Sequence, residues 1–510
     1  MEKIKTYIAG FDHISMGGLP EGRPTLISGT AGSAKTVLAA QFLVAAILED
    51  DEPGVFVTLE ESPEDIRSNM ASFGWDIPAF EEQKKWAFVD GSPQNEEYHY
   101  EAGTYDLGAF LARLEHAVRQ VGATRVVIDS IGAIFSRYGD RTLLRQEIYR
   151  ITAGLKKLGV TAIITAERTE EYGAISRNHL EEFVADNVIV LRNVLEQEKR
   201  RRTIEILKFR GTSHQKGEYP FTIIPREGVV VIPLSAIELG QRSSLLRVSS
   251  GISELDRMCG GGFFRDSIVL VSGATGTGKT LMVTEFLKGG VNMGERTLLF
   301  AFEESREQLI RNASGWGVDF EQMENEGKLK IVCAYPETAG LEDHLIRMKE
   351  IVHSFQPNRV ALDSLSALER VSTFRGFREF VIGLTSVIKE EEIAGLFTST
   401  TPTLLGGTSI TEAHISTITD SIILLRYAEI LGEMRRGITV LKMRGSVHDK
   451  DIREFTIDRE GMHIGPPFRN ISGILTGNPI HIKESEIDQL QGMFLDTQES
   501  GRDNPGNPGK

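Results

Sequence analysis

Cysteine is almost absent: Cys259 and Cys333 are the only two in 510 residues. That excludes a disulfide framework and a metal cluster of the spaced-cysteine kind, and it fits a reducing compartment with both thiols in the core. No apolar run approaches the roughly 20 residues needed to cross a bilayer, and the opening MEKIKTYIAG lacks the apolar stretch of a secretory signal. The expectation is a soluble, cytoplasmic protein with no membrane partner. Positive charge is in deficit, with 57 Lys and Arg against 72 Asp and Glu and a net charge of −15. Such a surface is poorly suited to a polyanion, so nucleic acid is an unexpected partner. The one basic run, KRRR at 199–202, reads as a loop or subunit-contact surface just before a strand.

What the chain does have is a sequence written twice. GRPTLISGTAGSAKT (22–36) returns as RDSIVLVSGATGTGKT (265–280), FVTLEES as LFAFEES, RVVIDS as RVALDS, DNVIVLR as DSIILLR, and LKFRGTSHQK as LKMRGSVHDK. Asp129 to Asp363, Asp186 to Asp420, Lys208 to Lys442 and Arg210 to Arg444 are all 234 positions apart, whereas Lys35 to Lys279 is 244 and Glu60 to Glu303 is 243. One indel explains the difference. Two homologous domains follow, at 1–234 and 249–465, with a linker at 235–248 and a tail at 466–510 whose end, GRDNPGNPGK, has a composition typical of disorder. Short Val/Ile/Leu runs alternate with helical stretches in each half, which indicates an α/β fold with a mostly parallel sheet covered on both faces. Ligands of such sheets bind beyond the carboxyl ends of the strands.

The motifs fall at those ends. GATGTGKT (273–280) satisfies the phosphate-loop pattern between a strand and a helix. The backbone of Thr275, Gly276, Thr277 and Gly278 would curl around phosphate, Lys279 reach the terminal phosphates, and the Thr280 hydroxyl ligate Mg²⁺. GTAGSAKT (29–36), with Ser33 in the same curl, has Ala34 in place of the second glycine, where a methyl group close to the phosphate path could distort or weaken the cradle; Gly29, Gly32, Lys35 and Thr36 remain, so nucleotide binding is still expected. Asp129 and Asp363 end strands, where a carboxylate can join a magnesium shell. Glu60–Glu61 and Glu303–Glu304 follow the second strand of each half, where one acid can take a proton from an attacking oxygen and adjacent acids raise one another's pKa. They are also placed to cap the next helix. Lys208 with Arg210, and Lys442 with Arg444, share a strand face. They are either a solvated edge or cations offered to a neighbour's nucleotide.

The duplication, the EE pair, K-x-R-G-[TS]-x-H late in each half and HISTITD (414–420) together resemble the KaiC family of circadian-clock ATPases and autokinases, with two tandem RecA-like P-loop domains. The resemblance implies a homohexamer of two rings with ATP and Mg²⁺ between subunits, hydrolysis in the first ring, and phosphorylation and dephosphorylation of its own Ser and Thr in the second. It implies Glu60 and Glu303 as proton acceptors and Thr36, Thr280, Glu303, Asp129 and Asp363 around the metal. Ser72, Trp316 and Arg436 would line nucleotide pockets. Lys208, Phe209, Arg210, Thr212 and His214 would reach ATP from a neighbour in ring one. Lys442, Met443, Arg444, Ser446, His448 and Lys450 would do so in ring two. Ser416 and Thr417 would accept phosphate, with Thr411 a third hydroxyl nearby. A KaiB-like partner would bind the first ring, and FRNISGILTGNPIHI in the tail resembles the segment that a KaiA-like partner captures, although the residues after it diverge.

A RecA-type recombinase or helicase would share the fold and the ATP site, and a scaffold glued together by ATP would fit Ala34. The stretch HISTITDS (414–421) also has a plain reading, because Ile415, Thr417 and Thr419 alternate as a strand edge would. The repeat bears on that choice. Ser416, Thr417, Thr419 and Ser421 stand opposite Glu182, Phe183, Ala185 and Asn187, so the first half loses every hydroxyl while Asp186 and Asp420 match.

Overall fold

The computed structural model describes residues 2–91, 107–135, 141–173, 185–196, 198–233, 243–401, 415–430, 432–469, 471–475 and 480–481. The chain forms two compact units, Met1–Ile237 and Glu238–Lys510. In the first, nine strands make one sheet: β1 (Pro24–Gly29), β2 (Gly54–Thr58), β3 (Trp86–Asp90), β4 (Arg125–Asp129), β5 (Thr161–Glu167), β6 (Asn187–Glu196), β7 (Lys199–Phe209), β8 (Glu218–Ile224) and β9 (Gly228–Val231). Their order is β3-β2-β4-β5-β1-β6-β7-β8-β9. Every pairing from β3 to β6 is parallel, and β7, β8 and β9 extend the sheet as antiparallel hairpins.

Alternation along the central strands separates two cores. Val55, Val57, Val126 and Ile128 face one, and Phe56, Val127 and Ile27 the other. The helix α1 (Lys35–Asp50) covers the Phe56 side, and α3 (Leu107–Val121) with α4 (Arg141–Leu158) covers the opposite side; α2 (Pro63–Ala71) follows β2. This is why the apolar runs are uninterrupted: both faces are covered, and each fully buried Val or Ile contributes about 1.5–3 kcal/mol.

The second unit repeats the plan with β10 (Ile268–Gly273), β11 (Thr297–Ala301), β12 (Leu329–Cys333), β13 (Arg359–Asp363), β14 (Ala394–Thr400), β15 (Ser421–Ile430), β16 (Glu433–Met443), β17 (Arg453–Asp458) and β18 (Gly461–Pro467), in the equivalent order β12-β11-β13-β14-β10-β15-β16-β17-β18. Its helices include α5 (Lys279–Asn292), α6 (Arg306–Gly315) and α7 (Leu365–Arg370). Among the described residues no helix is long and apolar enough to cross a membrane.

Four local expectations change. KRRR at 199–202 is no loop but the start of β7, paired with β6. Cys259 is buried, but Cys333 is exposed, because it ends the edge strand β12. Arg210 and Arg444 lie one residue past their strands, in the following turn. The strand reading of 415–419 fails: Ile415–Thr417 is a 3₁₀ turn and β15 starts at Ser421. The reason is that the carbonyl of Ile415 accepts from the amides of Ile418 and Thr419, a local closure that leaves no ladder to join.

Candidate nucleotide sites

Each unit places a phosphate loop between its central strand and the helix behind it. In unit two, Lys279 Nζ donates to the carbonyls of Gly273 (2.9 Å) and Ala274 (3.0 Å), and Thr277 Oγ1 donates to Ala274 O at 2.8 Å. In unit one, Lys35 Nζ donates to Thr30 O at 3.0 Å and Ser33 Oγ to the same oxygen at 2.7 Å. The curl is shared, so Ala34 does not unwind it. Ala34 adopts φ 72°, the left-handed conformation that Gly278 takes at φ 106°. Burial pushes both lysines below their ordinary pKa, against nearby carboxylates that raise it.

The strand-end aspartates meet the loop threonines. Thr36 Oγ1 donates to Asp129 Oδ2 at 2.7 Å, and Thr280 Oγ1 to Asp363 Oδ2 at 2.7 Å. The other carboxylate oxygen accepts from Thr165 in unit one and from Thr398 in unit two. Desolvation pushes both aspartates above the ordinary carboxylate range, and the threonine hydrogen bonds oppose it. A hydroxyl and a carboxylate presented together are hard oxygen donors that suit Mg²⁺, which usually takes its remaining ligands from phosphate and water. Thr165 and Thr398 escaped sequence reasoning because they sit mid-pattern in strands whose other residues carry no signal.

The glutamate pairs are not helix caps. Ser62 caps α2 by accepting from the Asp65 amide, and Ser305 caps α6 in a capping box with Gln308. Glu60 Oε1 accepts from Ser130 Oγ at 2.6 Å, whereas Glu303 Oε1 accepts from Arg370 at 2.7 Å, and the equivalent Ser364 hydroxyl is buried with no hydrogen-bond partner among the described residues. Glu61 and Glu304 accept from Asn69 (3.1 Å) and Asn312 (3.2 Å). Glu60, Glu61 and Glu304 all titrate above the ordinary value, with partial burial the largest cause and the strand-end aspartates adding to it; the adjacent glutamate is a lesser contribution than its position suggested. Ser72 and Trp316 sit at the C-terminal ends of α2 and α6.

The late-strand cations lie elsewhere. Met443 pairs with Ser421, and Ser421 with Val269 at the amino end of β10, whereas the phosphate loop leaves from the carboxyl end at Gly273. The two ends are separated by most of a strand of six residues, about 15 Å at the usual rise. Unit one has the same layout through Phe209, Asn187 and Thr25. At this far end Lys442 Nζ donates to Thr419 O (2.6 Å) and Arg444 to Thr417 O (2.8 Å). Lys208 Nζ donates to Ala185 O at 2.8 Å, and Arg210 lies 3.4 Å from Asp186. Phe209 and Met443 are buried in their cores, so only their main chain is available to a ligand. Thr212, His214, Ser446, His448 and Lys450 lie in the turns that follow. Thr417 is exposed beside Arg444. Thr411, the Ser416 side chain, Glu182 and Phe183, and most of the tail lie outside the described residues.

A family model described as the ATPase KaiC matches this chain twice, over residues 4–236 and 248–468. The circadian clock protein KaiC3 of Synechocystis sp. is 68% identical over 494 residues, covering 97% of this chain and 98% of the relative. The circadian clock oscillator protein KaiC of Thermostichus vulcanus is 56% identical over 490 residues, with 96% and 94% covered. That of Synechococcus elongatus is 54% identical over 499 residues, with 98% and 96% covered.

Proposed function

The chain belongs to the KaiC family of ATPases, and from that premise we propose that it is a Mg²⁺-dependent homohexameric timing protein that hydrolyses ATP in the first unit and phosphorylates itself in the second. ATP binding follows from the family and from two well-formed phosphate loops. The observation that carries the finer reading is the separation within each sheet. Lys442, Arg444 and Thr417 sit at the amino end of the central strands, too far from their own phosphate loop for one side chain to bridge. This separation supports the reading that they meet a nucleotide held by the next copy in a ring.

In this reading Glu303, beside the bound nucleotide, takes the proton as a Ser416 or Thr417 oxygen of the neighbouring subunit attacks the γ-phosphorus. The new O–P bond forms as the bond to the leaving ADP oxygen breaks. Lys442 and Arg444 stabilise charge on the transferred group, while Thr280 and Asp363 would hold Mg²⁺, which would supply neutralisation of phosphate charge. Glu60, Thr36, Asp129, Lys208 and Arg210 play the matching parts for water in the first unit, where Glu182 and Phe183 leave no acceptor hydroxyl. Ser72, Trp316 and Arg436 line the pockets, and Phe209, Thr212, His214, Met443, Ser446, His448 and Lys450 complete them in trans. Removal of phosphate from the same residues, Thr411 as a further acceptor, a KaiB-like partner on the first unit, a KaiA-like partner at the tail and a cytoplasmic location belong to the same proposal.

The test mixes two variants that are each dead alone. Lys279→Ala subunits lack a competent second loop but keep the acceptors, and Ser416→Ala/Thr417→Ala subunits keep the loop but lack the acceptors. With γ-labelled ATP, label on Ser416 and Thr417 is expected only in the mixture, on the Lys279→Ala chains. No label on these two residues in the mixture refutes transfer between subunits.

A further inference from the structure

The two phosphate loops share a shape but are fastened differently from outside. In unit one the carbonyl of Gly32 accepts from Arg202 Nε at 3.2 Å. In unit two the carbonyl of the matching Gly276 accepts from the Tyr427 hydroxyl at 2.6 Å. Arg202 and Asn193 face each other across the β6–β7 ladder, and Arg436 and Tyr427 face each other at the equivalent place across β15–β16. All four sit near the carboxyl end of the central strand, on the loop side of the sheet. The frame is therefore constant, and one exchange, Asn193 for Tyr427, goes with a change in which side chain holds the loop.

A peptide is planar, so an oxygen anchored from outside sets the direction of the following N–H. Holding Gly276 O fixes the peptide leading into Thr277, whose amide donates to Ala274 O at 3.4 Å, and with it the curl that faces a phosphate. The anchor also decides what the facing arginine is free to do. Arg202 is committed to Gly32. Arg436 lies over the Tyr427 ring, 5.6 Å from its centroid, and its Nε is buried with no hydrogen-bond partner among the described residues. A neutral phenol has taken over the fastening, and the guanidinium keeps donor capacity that burial makes costly to leave unused.

We propose that Tyr427 is a positioning residue of the second nucleotide site, fixing the phosphate loop through Gly276 and thereby releasing Arg436 toward the bound nucleotide, while in the first site Arg202 is spent on the loop. This rests on the reading that both loops hold ATP. It makes the two sites unequal in anion-binding charge without altering either loop sequence.

Tyr427→Phe removes one hydroxyl and keeps the ring under Arg436. Measured in the full-length protein as the initial rate of label transfer from γ-labelled ATP to Ser416 and Thr417, KM for Mg-ATP is expected to rise about 3- to 10-fold, the range of one hydrogen bond, with kcat within twofold and the thermal midpoint unchanged. Tyr427→Asn, which copies the first unit, should raise KM further, because Arg436 is then drawn onto Gly276 O. An unchanged KM in Tyr427→Phe overturns the proposal, as does a fall in kcat together with a lowered thermal midpoint. Lys279→Ala separates the two levels. If it leaves the labelling intact, the second nucleotide site itself is wrong and the inference falls with it. If it abolishes the labelling while Tyr427→Phe matches the parent, only the inference is lost.

Discussion

Gly278→Ala in the second phosphate loop would copy the residue that the first loop already carries. Two costs can be worked from the geometry. At φ 106° an L side chain enters the left-handed region, at about 1–2 kcal/mol. The new methyl would stand 2.9 Å from Ile457 Cδ1 and 3.4 Å from Met462 Cε, an overlap relieved only by moving side chains, at about 1–2 kcal/mol. The reduced freedom of the unfolded chain returns roughly 0.4–1 kcal/mol. The net loss is about 1–4 kcal/mol, several degrees in the unfolding midpoint of a domain this size. Unit one avoids the second cost. Ile223 pairs with Val229 there, as Ile457 pairs with Met462, so the isoleucine in unit one has a smaller neighbour to turn toward, and the Ala34 methyl packs against the core. Gly278→Ala combined with Met462→Val should therefore be less destabilised than the two single changes added together, by about 1 kcal/mol. Ala34→Gly should shift stability by no more than about 1 kcal/mol, because relief of strain is offset by unfolded-state entropy and a lost methyl contact. Calorimetry of the four second-unit proteins of the cycle at fixed Mg-ATP, with a nucleotide titration of each, decides the matter. Strict additivity would refute the steric account.

Glu303→Gln should keep ATP binding and the oligomer while slowing self-phosphorylation by about 10²-fold or more, and Glu60→Gln should lower bulk phosphate release instead; label incorporation and phosphate assays read the two separately. Partial burial, with Glu167 and Asp129 adding and Ser130 and Lys35 opposing, raises the Glu60 carboxyl, so first-unit hydrolysis should fall with acid at a pH above the ordinary glutamate value of about 4.3. A pH–rate profile on the Glu303→Gln protein tests this, and a limb at or below that value contradicts it. The sign for stability is the reverse: a raised carboxyl contributes below its unfolded pKa and its contribution is lost as pH rises through the folded value. Lys442→Ala with Arg444→Ala should weaken Mg-ATP-driven assembly, because a shared site lends its binding energy to the interface; an assembly on sizing chromatography identical to the parent's would count against shared sites.

How far the sequence could be read depended on whether a feature was local. The doubled phosphate loops, the parallel strands and the strand-end aspartates were legible because each follows from a contiguous pattern, and Asp129 and Asp363 do meet Thr36 and Thr280 at 2.7 Å. Alternation misled at Ile415–Thr417, because a 3₁₀ turn and a strand can carry the same β-branched residues, and what separates them is the local acceptor at Ile415 O. KRRR looked like surface because nothing contiguous shows that Arg202 faces a phosphate-loop carbonyl 170 residues earlier. The least legible features are those in which the two units differ. Glu60 is held by Ser130 and Glu303 by Arg370, and Gly32 is held by Arg202 and Gly276 by Tyr427.

Those exchanges share a direction that argues for divided labour on one frame. In unit one Glu60 accepts from a neutral hydroxyl and Arg202 holds the loop. In unit two Arg370 donates to Glu303, and a neutral phenol holds the loop. Among the described residues a cation fastens the loop in unit one and the glutamate in unit two. A base held in an ion pair must give up that contact before it can take a proton. Its pair is largely exposed, with Arg370 63% accessible, so the restraint is of the order of 1 kcal/mol or less and easily reversed by a nearby anion. A new phosphate on an acceptor presented by the next subunit would be such an anion, competing for Arg370 with Glu303. On the proposed transfer, its product would therefore compete for the contact that restrains Glu303, a coupling that a phosphorylating site can use and a steadily turning ATPase site need not.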